Sequence, residues 1–227
     1  MRFLQILLLL FLVNLGAKNL TMPKDFRMVP IKEAQILQEG ENKLFCPRCG
    51  MTLPMFYRTN HAAKVDGKWE QYCSIYCLVD TMNMGKEPKE IKVVDNTTLK
   101  FIDAGSAFYV VGSKKPATMS KTSFYAFGTK EAADKFANEN GGKVMSFNEA
   151  LEIAKKEFEA DKKAVAARQA KMAKMGKMVY NKMCQKIDEK FNSVAQAKSY
   201  IIKNKSCPNL KGKELQAVAI YLYKGEK

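Results

Sequence analysis

Histidine is almost missing from this chain. Its 227 residues contain one, His61. A single imidazole leaves little room for general acid–base catalysis, and no Ser/His/Asp set, paired catalytic carboxylates or phosphate-binding glycine loop accompanies it. The expectation is a protein that is not an enzyme. Acidic residues are also scarce, 23 against 38 basic ones, giving a formal net charge of +15. Such a balance suits nucleic acid or a membrane surface. Long apolar runs are lacking too: the longest, Phe3 to Val13, is short for a bilayer span.

That run is nevertheless informative. Arg2 precedes it, and Leu15-Gly16-Ala17 follows as a small-residue cleavage site. Residues 1–17 therefore read as a secretory signal peptide, with an uncleaved membrane anchor as the alternative. No lipidation cysteine follows. The expectation is an exported, periplasmic protein with a basic surface. It has no nucleic-acid partner, and peripheral membrane contact stays open. In that compartment cysteine pairs can be disulfides as well as metal ligands.

What the chain does have is sulfur. Cys46 and Cys49 form a C-x-x-C, and Cys73 and Cys77 a C-x-x-x-C. Met51, Met55 and His61 lie between the pairs. Gly50 lets the backbone fold back after Cys49. Cys73 and Cys77, four apart at a strand-to-helix junction, share a helix face, where the positive helix end favours a thiolate at Cys73. Two thiols on a knuckle facing two at a helix start make a four-sulfur site. The residues leave three readings open: a structural zinc knuckle, structural disulfides, or handling of a soft metal with Met51 and Met55 taking part. The C-x-x-C does not open a helix in a βαβ unit, so a thioredoxin-like context is not evident.

The periodicity predicts an α+β fold. Residues 18–43 read as a mobile polar lead-in with a short helix over Ile31 to Gln38. A ββαβ pattern then occurs twice. In the first copy, strands at Ala62–Val65 and Lys68–Tyr72 flank an Asp66-Gly67 turn, Ser74 caps a helix, and Glu90–Val94 is the last strand. In the second, strands at Ala107–Val111 and Ser123–Phe127 precede a helix capped by Thr129 and a strand at Lys143–Ser146. Glu149 to Met183 is proline-free and reads as a long helix broken at Gly176. Met172, Met175 and Met178 fall on it at helical spacing, the usual mark of a packing stripe. A small all-α tail ends the chain, with Ser193 capping one helix and Leu215, Val218, Ala219 and Leu222 forming the stripe of the last.

Cys49-Gly50-Met51 resembles the Cys-Gly-Met signature of the NosL family, copper chaperones that serve nitrous oxide reductase in denitrification. The similarity extends through the Ala62–Tyr72 strand pair, helix-borne Cys77, Lys115–Met119, Tyr125–Gly128, Glu131–Ala133 and Gly141-Gly142. It covers residues 44–152. The resemblance implies a double ββαβ domain that binds Cu(I), with Zn(II) as the alternative ion. It implies delivery to apo nitrous oxide reductase or another copper-accepting periplasmic protein. By the same token Cys49, Met51 and Met119 are the leading metal ligands, and Cys46, Cys73 and Cys77 complete the candidate set. Ser120 stands where some relatives carry a histidine. The competing reading is a structural zinc or thiol–disulfide module acting as a periplasmic interaction protein.

Residues 153–175 then read as a helical linker. Residues 176–227 resemble the first and last helices of a small c-type cytochrome domain, through Gly176–Cys184 and Leu210–Tyr223. The haem attachment motif is missing, since Gln185-Lys186-Ile187-Asp188 follows Cys184. The expectation is a degenerate, haem-free helical module stapled by Cys184 and Cys207, with docking as its role.

Overall fold

Asp66 and Gly67 both adopt positive φ, 50° and 80°, the conformation a two-residue hairpin turn demands. They join β1 (His61–Val65) to β2 (Lys68–Tyr72) in register, from Val65 opposite Lys68 to His61 opposite Tyr72. The computed structural model describes residues 25–225; the signal-peptide segment, residues 1–17, lies outside them.

After β2 the chain enters α1 (Ile75–Asn83) and returns along β3 (Lys89–Val94) beside β1. A short β4 (Phe101–Asp103) extends the sheet, giving the order β2-β1-β3-β4. The second copy comprises β5 (Phe108–Val111), β6 (Phe124–Phe127), α2 (Lys130–Asn140) and β7 (Lys143–Ser146), in the order β6-β5-β7. Thr129 caps α2 by accepting from the Ala132 amide. Asp95 bridges to Ala126 and so ties the two sheets together. Two ββαβ modules in one α+β body are thus observed as expected.

The long helix α3 (Phe147–Met183) starts at a capping box formed by Ser146 and Glu149. Phe147, Ala150, Leu151, Ala154, Phe158 and Val165 form its buried stripe against both modules. Beyond that stripe the helix carries the tail, α4 (Val194–Asn204) and α5 (Gly212–Lys224). The tail has its own core of Phe191, Val194, Ile201, Val218 and Ile220. The Cys184–Cys207 disulfide closes it. No helix among the described residues is long and apolar enough to cross a membrane.

Three local expectations are corrected. Gly176 does not break the helix. An added Cβ there would lie 2.0 Å from the Ala217 carbonyl oxygen, so glycine is what lets α5 approach α3. Residues 31–38 form a turn and extended chain, not a helix. Nor does the lead-in stand away from the body: Phe26 packs on Tyr125 and Phe136, Val29 on Tyr57, and the Leu37 amide donates to the side chain of Gln71. Pairing with the sheet edge outcompetes local helix formation.

Candidate metal centre

The C-x-x-C is a tight knuckle. The Gly50 amide donates to the Cys46 carbonyl at 2.8 Å and the Cys46 amide to the Met51 carbonyl at 2.9 Å. Gly50 has φ +71°, and an added Cβ would meet Val194 Cγ1 at 2.4 Å. Both its conformation and its contact with α4 therefore require glycine. Arg48, inside the knuckle, pairs with Asp80 of α1 at 2.7 Å and locks the loop to that helix. The Thr59 hydroxyl donates to the Cys73 carbonyl at 2.8 Å and shares a hydrogen bond with the Thr118 hydroxyl at 2.9 Å, tying the second thiol pair to the second module.

Cys46, Cys49, Cys73 and Cys77 converge as the spacing suggests. Their Sγ atoms all lie within 4.8 Å of one another. Cys49 and Cys73 are 3.4 Å apart, Cys73 and Cys77 3.7 Å. Tetrahedral zinc with Zn–S bonds near 2.3 Å needs sulfur atoms roughly 3.8 Å apart, so this donor set fits such an ion closely. All four thiols are buried and free. The only disulfide among the described residues is in the tail, so no bond links the two pairs of the knuckle segment.

The electrostatics differ from expectation. Cys73, at the helix start, is not the favoured thiolate: burial and the neighbouring Cys46 and Cys49 thiols push its pKa well up. Hydrogen bonds with Cys46, Cys49 and Cys73, together with burial, raise Cys77. At Cys46, burial pushes the thiol up but bonds from Cys49, Cys73 and Cys77 outweigh it, and the pKa falls well below the ordinary value. Mutual hydrogen bonding among four sulfurs overrides one helix end.

The tail sits directly on the knuckle. Lys198 of α4 is 1% exposed. Its Nζ donates to the Gly50 carbonyl at 2.7 Å and Thr52 Oγ1 at 3.2 Å, and lies 4.8 Å from the Phe45 ring centroid. Burial lowers its pKa to about 8, against the pull of the nearby thiols. Gln216 of α5 donates to the Cys49 carbonyl at 2.9 Å. Neither residue was among the site expectations. A signal existed for Lys198: with Val194, Ala197 and Ile201 it occupies the i, i+4 core stripe of α4, where lysine is out of place.

Beside the thiols opens a cleft of about 320 Å³. Cys49, Met51, Met55, Met119 and Met172 supply its sulfur, α3 and α5 its walls. Met51 and Met119, remote in sequence, are therefore brought to one space. Met119 sits in the left-handed region at φ +66°. His61 is not there. It is buried with Nε2 3.0 Å from the Tyr109 hydroxyl and Nδ1 3.2 Å from the Thr59 carbonyl, and burial lowers its pKa to about 4.

A buried quartet of thiols beside a thioether-lined cleft, on duplicated ββαβ modules, gives this α+β protein a donor set suited to a soft metal. The sequence pattern of NosL matches residues 38–154, just over half of the chain. This chain belongs to the NosL family. The crystal structure of the copper chaperone NosL from Shewanella denitrificans is 26% identical to it, covers 53% of this chain and 96% of its own, and superposes with a TM-score of 0.40. No curated protein matches the chain.

Proposed function

We propose that this protein is an exported metallochaperone that carries Cu(I) and delivers it for the maturation of nitrous oxide reductase, or to another copper-accepting periplasmic protein. Family membership supports the cargo and the acceptor. The observation that carries the reading is the meeting of Met51 and Met119 with Cys49 in one cleft. Thiolate and thioether are the donors that prefer monovalent copper. Transfer proceeds by ligand exchange, the acceptor's donors replacing the sulfur ligands one at a time. The role is carriage and not catalysis.

Closure of the four thiols favours a second, compatible role for that quartet. Structural metal sites are closed and four-coordinate, whereas exchanging sites keep a position open. Cys46, Cys49, Cys73 and Cys77 would hold Zn(II), which supplies charge neutralisation and a cross-link between knuckle and α1. The basic Lys198 beside them balances the excess negative charge of a four-thiolate centre.

The test is an anaerobic titration of the chain from Lys18 onward with Cu(I) against a competing chelator, with Zn(II) in parallel. Tight Cu(I) binding that weakens in Cys49→Ser and Met51→Leu is expected. Absence of competitive Cu(I) binding, with zinc alone retained, would sink the chaperone reading.

A further inference from the structure

The methionines of α3 share one helical spacing but not one environment. Met178 is 67% exposed. Met172 turns inward and lines the cleft, one turn beyond Arg168 and Gln169 and two beyond Val165. Methionine commonly fills irregular gaps in a core. Met172 packs partly against the tail core and also borders the cleft, which Met51 and Met55 line from the knuckle side and Met119 from the second module.

The geometry around that space is held from several directions. Asp161 of α3 accepts from the Lys121 amide at 2.9 Å, and Arg168 reaches the Met119 carbonyl at 3.5 Å. These contacts pin α3 to the loop in which Met119 adopts its left-handed backbone. A non-glycine residue there is costly and persists only where its surroundings fix it.

We propose that Met55 and Met172 join Met51 and Met119 in a four-thioether site for a monovalent soft ion, completed by a helix that extends beyond the family-matched residues. The proposal rests on the copper reading above and deepens it. No carboxylate or imidazole lines the cleft; its side-chain oxygens, from Thr52, Gln169 and Gln216, are all neutral, so a hard divalent ion finds no anionic ligand there. Arg168, Lys198 and Lys213 do line it. Their positive charge opposes a divalent ion about twice as strongly as a monovalent one.

The experiment uses the whole chain from Lys18, labelled with 13C in the methionine methyl groups. It is titrated with Ag(I), a redox-inert stand-in for Cu(I), and separately with Cu(I) against a competing chelator. The methyl signals of Met51, Met55, Met119 and Met172 are expected to shift, while Met178 stays still. Met172→Leu should weaken Cu(I) binding about tenfold, roughly 1.4 kcal/mol, with Met178→Leu unchanged and both variants melting like the parent. If Cu(I) binds and responds to Met51→Leu while Met172 neither shifts nor matters, the four-thioether site is wrong and the chaperone reading stands. If no variant or parent binds Cu(I) or Ag(I), both fall.

Discussion

The thiol quartet and the thioether cleft share Cys49 yet differ in almost every physical respect. The quartet is buried, with only Cys49 bordering the cleft. Its sulfurs are held by a glycine knuckle, an ion pair to α1 and a lysine from the tail. The cleft is lined by half-buried methionines from four separate segments, with cations around them. A buried, fully satisfied donor set retains an ion. A set of neutral donors on separately supported elements can let one go. On the function proposed above, the two would stand side by side in one chain as an anchored centre and an exchanging one.

The largest expected difference between them is in stability. Cys73→Ser should remove bound zinc and lower unfolding free energy by about 4 kcal/mol, the linkage of a site filled a thousandfold above its Kd. Met119→Leu, close to isosteric, should cost less than about 1.5 kcal/mol. Metal content and chemical denaturation of the two variants check this. Equal losses would erase the distinction.

Gly176→Ala should separate the regions next. Its Cβ cannot be placed against the Ala217 carbonyl, so α3 and α5 must part, costing about 3 kcal/mol. Urea unfolding measures that cost. Cu(I) titration should show a weakened cleft while zinc content is kept, because α5 walls the cleft and reaches the quartet only through the bond from Gln216 to the Cys49 carbonyl, not through a thiol.

The lone imidazole gives a pH test of comparable size. The folded pKa of His61 lies near 4, below its ordinary 6.5. On acidification the unfolded chain takes up this proton first. The contribution is therefore fully present above about pH 6.5 and is lost as pH falls to 4, amounting to about 3 kcal/mol. The difference in stability slope between wild type and His61→Gln over that window is the readout. A slope unaffected by the substitution would mean that the imidazole is not buried neutral, and so remains available to metal.

The smallest effect expected is electrostatic. Lys213→Gln removes one of the cations lining the cleft. Partly exposed charges interact by less than about 1 kcal/mol, so Cu(I) should bind two- to fivefold tighter, with zinc affinity unchanged. Repeating the titration at high salt should shrink the gain.

Much of this was readable along the chain. The ββαβ repeat follows from alternation, the Asp66-Gly67 turn and the cap at Thr129, all of which act over a few residues; Ser74 holds the N-cap position of α1 but makes no side-chain bond to the helix end. The convergence of Cys46 and Cys49 with Cys73 and Cys77 was legible because a knuckle and one helical turn each fix two thiols locally. The pairing of Cys184 with Cys207 fits the reading of the tail as a haem-free helical module stapled by its two cysteines. By contrast, Ile31–Gln38 looked helical, but Leu37 and Gln38 hydrogen-bond to Gln71, and such long-range bonds cannot be seen locally. Cys73 looked like the favoured thiolate from its helix position, yet burial and the neighbouring Cys46 and Cys49 thiols push its pKa up.

What the sequence by itself determined is therefore the soft chemistry and the local frames that present it: the sulfur donors, the glycine at the knuckle, the repeated module and the length of α3. What only the tertiary structure decided is which donors share a space. Met51, Met119 and Met172 lie on different elements, and their meeting depends on the packing of α3 and α5, made close by Gly176. Lys198 likewise acquires its place beside the thiols only when α4 docks on Gly50. Spacing encodes contacts within a turn or a hairpin; contacts between elements are set by how their buried faces fit.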